Sequence, residues 1–168
     1  MFRFCSLYSG STGNSLYVET PNTKILIDAG ESAKKIVSAL SNIEVDITEI
    51  NAILVTHEHS DHIKGLGTLS KKYNIPVYAN KGTWQAMPDQ SIKIELANQK
   101  LFNSNTNFTI GDLKIFPFSI PHDAAEPCGF NIYYSNNKIS IATDLGHIDS
   151  NIILSLIHIS EPTRPRLI

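Results

Sequence analysis

The chain has 168 residues, 42% hydrophobic and 18% charged, with 16 acidic against 14 basic side chains for a formal charge of −2. That balance fits one globular domain and argues against a broad basic nucleic-acid surface, and its two cysteines, Cys5 and Cys128, are too few for a disulfide framework. No run approaches the roughly 18 apolar residues of a membrane span, and the start, Met1-Phe2-Arg3-Phe4-Cys5-Ser6, lacks a secretory apolar stretch, so a cytoplasmic protein with no membrane partner is expected.

From the N-terminus, alternating and apolar runs predict strands near 2–8, 15–19 and 24–28, a helix near 31–40 and a strand at 52–56. A helix at 62–73, a short strand at 76–79 and a helical turn around Trp84, read as a packing residue, come next. Strands near 92–96, 100–103 and 108–119 precede a hairpin, 128–134 with 138–143, turning at 135–137. Between the first two strands, the loop containing Gly10, Ser11, Gly13 and Asn14 is either a tight turn or an anion cradle built from clustered N–H groups. It lacks the lysine and following helix of a P-loop.

The densest chemical signal is Thr56-His57-Glu58-His59-Ser60-Asp61-His62, directly after the apolar strand Ala52-Ile53-Leu54-Val55. Three of the 6 histidines fall in this window. His57 and His59, two apart in extended chain, project to one side and can share one metal. Asp61 and His62 follow the turn into a helix and are expected to face a second metal. Imidazole with carboxylate suits zinc, and also manganese or iron, and the absence of cysteine ligands disfavours a closed structural zinc site. Two metals about 3.5–4 Å apart can share a hydroxide and serve hydrolysis, with Asp61 and His62 as catalytic candidates. An H-E-x-x-H protease motif is excluded, because Asp61 stands where its second histidine belongs.

Three further strands end in a candidate ligand or support: Asp28 after Ile25-Leu26-Ile27, His122 after Phe118-Ser119-Ile120-Pro121, and Asp144 after Ile141-Ala142-Thr143. Strand ends collected on one rim would bring them to the cluster. Alone, Asp28 reads as a turn residue, His122 as a loop histidine and Asp144 as a helix cap. Asp123 could orient a ligating histidine, and His147 could line the site or lie on the surface.

The LIDAG, THEHSDH, IPHD and TDLGH segments, in this order, resemble the metallo-β-lactamase superfamily; SGSTGNS, PHDAAEPCGF and TDLGH resemble more closely its YycJ/WalJ/VicX-type exonucleases. The resemblance covers residues 2–153. It implies an α/β fold, the αββα sandwich, incomplete at the C-terminus, and 5′-to-3′ exonuclease action on DNA with two divalent metal ions, Zn or Mn. It further implies that His57, His59 and His122 hold one metal, that Asp61 and His62 hold the other, that Asp144 bridges them, and that Asp28 supports the ligand loop. The family's late histidine has no counterpart here.

Residues 154–168 resemble one reading frame of a transposase-type sequencing adapter, so the domain is expected to span 1–153, with a non-native tail in which His158 is no ligand. Two rivals to the nuclease remain: a small-molecule hydrolase acting on a lactone, thioester or cyclic phosphodiester, and a truncated fragment that holds metal weakly. Oligomeric state is not legible.

Overall fold

A computed structural model describes residues 1–146, 148 and 150–157. It contains two β-sheets. The first joins β1 (Arg3–Tyr8), β2 (Ser15–Glu19), β3 (Lys24–Ile27), β4 (Ala52–Leu54), β5 (Val77–Ala79) and β6 (Gln99–Leu101) in that spatial order. Its first three strands run antiparallel and β3 to β6 run parallel. The second is the antiparallel set β7 (Phe108–Ile110), β8 (Leu113–Ser119), β9 (Cys128–Tyr134) and β10 (Asn137–Ile141).

Strand alternation decides which core each side chain enters. In β3, Leu26 faces the helices α1 (Ala33–Asn42) and α3 (Leu66–Tyr73), while Ile25 and Ile27 turn towards the second sheet. In β4, Ile53 takes the helical side and Ala52 and Leu54 the inter-sheet side. These strands are covered on both faces and so read as continuous apolar runs. Leu113, Ile115, Phe130 and Ile132 complete the inter-sheet core. On the far side, the Lys138 ammonium donates to the Leu156 carbonyl of α6 (Ser150–Ile157) at 3.2 Å. The layers are helix, sheet, sheet, helix, the sandwich expected.

Several boundaries differ from expectation. The helix foreseen at 62–73 is two pieces, α2 (Ser60–Ile63) and α3, separated at Gly65, where the backbone presses on the Glu31 carbonyl. The strand foreseen at 92–96 is absent: α5 (Pro88–Ser91) and a 3-10 turn at Leu96–Asn98 flank it, and Ile94 is buried whereas Ile92 and Leu96 are exposed. The apolar residues there mimic strand alternation without sharing a buried face. Gly111, at φ 54°, turns the long strand foreseen at 108–119 into the β7–β8 hairpin. Trp84 lies in α4 (Lys81–Ala86), packs against the helical-side core and donates to the Lys100 carbonyl at 3.0 Å. The expected boundary after residue 153 falls inside α6, and His147 and residues 158–168 lie outside the described residues. Among the described residues no helix is long and apolar enough to cross a membrane.

Candidate metal centre

The parallel strands β3 and β4 end side by side, and the chain leaves each in a manner that aims polar groups at one spot. Asp28 adopts a left-handed conformation, φ 63°, which halts β3 while its N–H stays bonded to the Leu54 carbonyl at 2.8 Å. Aspartate is among the few non-glycine residues that enter this region readily. After β4, residues 55–59 stay non-helical until His59 caps α2, which brings His57 and His62 into complete burial.

Asp28 organises both histidines. Its Oδ1 accepts the Thr56 N–H at 2.8 Å; its Oδ2 accepts the Thr56 hydroxyl at 2.8 Å and His62 Nδ1–H at 2.7 Å. A carboxylate only accepts, so the Thr56 proton is committed to it and Thr56 Oγ1 can only accept from His57 Nδ1, 3.0 Å away. Both imidazoles are thereby protonated on Nδ1 and present Nε2 to the pocket. His57 Nε2 is buried and has no hydrogen-bond partner, an arrangement costly for a bare chain and suited to a cation.

Two sets of donor atoms converge, each within 4.8 Å: His57, His59 and His122 form one, and His57, His62 and Asp144 the other. His122 Nε2 lies 3.2 Å from His59 Nδ1, and both rings stand edge-on to His57 at 4.6–4.7 Å between centroids. Asp144, left-handed at φ 55°, places Oδ2 at 2.7 Å from His62 Nε2 and 3.8 Å from His57 Nε2. Asp61 belongs to neither set; its Oδ2 is 3.5 Å from His62 Nε2 and accepts the Asn14 amide at 3.2 Å. The chemistry and convergence of these groups fit divalent cations.

Burial first, then the charge of His62, lowers the pKa of His57 to about 4, so at neutral pH it is an uncharged imidazole. Burial also works to lower His62, but the Asp28 hydrogen bond and charge, with help from Asp61 and Asp144, outweigh it and raise its pKa. The two have opposite linkage. Unfolded His57 takes a proton from about pH 6.5 downward that the folded chain refuses until about 4, so its contribution to stability is lost as pH falls through that window. The His62 contribution is present below its unfolded value and is lost as pH rises through the raised folded one. Thermal melts of the metal-free chain should therefore decline from pH 6.5 towards 4, and a His57→Gln variant should show a shallower decline; parallel slopes would contradict this.

The remaining candidates lie around this cluster. Asp123 is exposed and, among the described residues, makes no side-chain hydrogen bond to a histidine. The Gly10–Asn14 loop is a closed turn in which Gly10 N–H goes to Asn14 Oδ1, Gly13 N–H to the Gly10 carbonyl and Asn14 N–H to the Asp61 carbonyl, which leaves Ser11 outside the inward bonding. Asn14 instead holds Asp61. His62 enters only the second donor set, and its ring centroid lies 4.1 Å from that of His57, which both sets share. Thr56 was missed; its place between Asp28 and His57 depends on a contact 28 residues away in sequence.

The β-lactamase superfamily domain model matches residues 23–159. The chain is 45% identical over 145 residues to exodeoxyribonuclease YycJ of Bacillus anthracis, covering 86% of this chain and 55% of that protein. It is 41% identical over 149 residues to exodeoxyribonuclease WalJ of Streptococcus pneumoniae, covering 88% and 55%. It thus spans about half the length of the curated relatives it matches. Among solved structures, the class B3 di-zinc metallo-β-lactamase LRA-12 from an Alaskan soil metagenome superimposes with a TM-score of 0.66 at 18% identity, covering 86% of this chain and 64% of that one. BJP-1, a subclass B3 enzyme of Bradyrhizobium japonicum, gives 0.60 at 16% identity, covering 76% and 53%. Matched across 137 of its positions (23 to 159) by that domain model, the chain belongs to the β-lactamase superfamily.

Proposed function

We propose that this domain is the metal-binding part of a cytoplasmic hydrolase that cleaves phosphodiesters, a DNA exonuclease of 5′-to-3′ polarity. His57, His59 and His122 would hold one divalent ion, and His62 and Asp144, with Asp61 beside them, a second; the ions would be zinc or manganese. The observation that carries the reading is the bare, buried Nε2 of His57 at the junction of the two donor sets. Likeness to named exodeoxyribonucleases supports DNA as the substrate.

The chemistry such ions supply, when bound, is Lewis-acid polarisation of phosphoryl oxygens and compensation of charge on the leaving group. The protein's own part is orientation. Asp28 and Thr56 fix the tautomers of His62 and His57, and Asn14 restrains the Asp61 carboxylate at the pocket mouth. Asp144 Oδ2 lies 2.7 Å from His62 Nε2, so whenever His62 is an imidazolium the proton between them must leave before a ligand bond can form at that nitrogen. Zinc binding should thus release a proton from His62 below its raised pKa, and less of one as pH rises through it. Calorimetry in buffers of different ionisation enthalpy reads this directly, and binding without buffer dependence would contradict it.

Lys71, Lys72 and Lys93 line a cavity of about 480 Å³ with Gly67 and Thr68. Among the described residues these lysines form no ion pair, which suits a phosphate backbone better than a small neutral ester. Changing all three to alanine should weaken DNA binding at least tenfold at low salt, and flatten the logarithmic salt dependence by about 0.9 for each lysine that contacts phosphate. Fluorescence anisotropy of labelled DNA tests it; unchanged affinity and slope would favour the small-molecule rival. The activity itself is tested by 5′-end-labelled DNA with manganese: nucleotide release that a chelator abolishes is expected, and intact DNA under both conditions counts against the reading.

A further inference from the structure

His122 sits in the β8–β9 loop, residues 120–127, which has no helix or strand of its own. The base of the loop is closed by Ile120 N–H to the Pro127 carbonyl at 3.2 Å. One limb is fixed through Glu126: its Oε2 accepts Gly82 N–H at 2.8 Å, its Oε1 accepts the Ser104 hydroxyl at 2.8 Å, and its carbonyl accepts the Asn80 amide at 2.7 Å. These bonds anchor the loop to α4 and its surroundings, not to the other ligands.

The crest is tied to them by a different carboxylate. Ala125 N–H donates to Glu58 Oε1 at 2.9 Å, across 67 positions of sequence. Glu58 stands between His57 and His59 but belongs to neither donor set. Its Oε2 is buried without a hydrogen-bond partner, an expense that a purely solvated glutamate would avoid. Ala124 N–H returns to the His122 carbonyl at 3.0 Å, so residues 122–124 form one tight turn that runs directly into Ala125.

We propose that Glu58 is a positioning residue: by holding the Ala125 amide it sets His122 against His57 and His59, and so determines how tightly the three-imidazole set grips a divalent cation. This rests on the metal-centre reading. Outer contacts of this kind commonly change metal affinity about 10–100-fold.

The test titrates Zn²⁺ into the 168-residue chain and its Glu58 variants by calorimetry, with amide exchange followed in the metal-free proteins. Glu58→Ala should weaken zinc binding at least about tenfold and expose the Ala125 amide, while the Leu26 and Ile53 amides stay protected. Glu58→Gln retains an oxygen acceptor and should stay within about threefold of the parent. Glu58→Asp retains the charge but is a methylene short, and should behave like alanine. The reverse pattern, with aspartate near parental and glutamine as weak as alanine, would make the charge responsible and overturn the proposal; so would parental affinity in Glu58→Ala. If the parent binds no zinc, the metal-centre reading fails, yet Ala125 protection across the three variants still decides whether the bond holds the loop. A freely exchanging Ala125 amide in the parent would overturn it, as would loss of core protection in every variant, which makes Glu58 a folding residue instead.

Discussion

Asp28→Ala should be the most damaging single substitution in the pocket. It deletes the acceptor for Thr56 N–H, for the Thr56 hydroxyl and for His62 Nδ1–H at once. His62, whose pKa Asp28 helps to raise, would be left as a buried imidazole that has lost its main counter-charge. Breaking a buried pair from one side costs about 3–5 kcal/mol, and with Thr56 released the tautomer of His57 is no longer dictated. Urea denaturation should show a loss of that size, and zinc affinity should fall about 10–100-fold. Asp28→Asn keeps the shape and one acceptor oxygen, and should recover part of the stability but little of the affinity. A loss below about 1 kcal/mol, the range of an exposed pair, would show that Asp28 does not organise the site.

Gly30→Ala comes next, and for a steric reason. A Cβ at this position would lie 1.6 Å from the Asp61 carbonyl oxygen, 2.4 Å from its carbon and 2.5 Å from the Asn14 nitrogen. All three are backbone atoms and cannot swing aside. The same carbonyl accepts Asn14 N–H at 2.8 Å, and Gly30 N–H itself reaches the Asn14 carbonyl at 2.8 Å. The methyl group would drive α2, with Asp61 and His62, away from β3. Overpacking of this severity should cost about 3 kcal/mol or more and remove the His57–His62–Asp144 donor set. Gly10→Ala is the matched control, since its Cβ would meet nothing within 4 Å, and it should change stability by less than about 0.5 kcal/mol. Melting temperature and zinc stoichiometry of the two variants make the comparison; equal melting temperatures would refute the steric argument.

The LIDAG segment shows both what was legible in the sequence and what was not. A strand ending in Asp-Ala-Gly could be read as a turn, and the family resemblance implied support for the ligand loop. That the glycine is dictated by the Asp61 backbone, and that the aspartate works through Thr56 as well as on His62, requires knowing that β3 and β4 are parallel neighbours. The histidine cluster is local, so its chemistry was visible in a seven-residue window. His122 and Asp144 had to be inferred from strand ends, which the sheet rim does bring to the cluster. For Asp123, adjacency to His122 in sequence gave no information on loop direction, and the residue is exposed. The glycine-rich segment could be read as a tight turn or an anion cradle, because glycine signals close backbone approach without saying to what; here Asn14 N–H approaches the Asp61 carbonyl. Ile92-Lys93-Ile94-Glu95-Leu96 shows the remaining weakness: period-two hydrophobicity over five residues counts apolar side chains but cannot tell which of them a neighbouring layer will cover.

Anomalous diffraction at the zinc edge, from crystals of the chain equilibrated with Zn²⁺, addresses the convergence of these side chains most directly. Zinc density bonded to the now unpartnered His57 Nε2 and shared with His59 and His122 or with His62 and Asp144 is the result expected. Zinc found only at other surface histidines or carboxylates, with His57 Nε2 still bare, would contradict it.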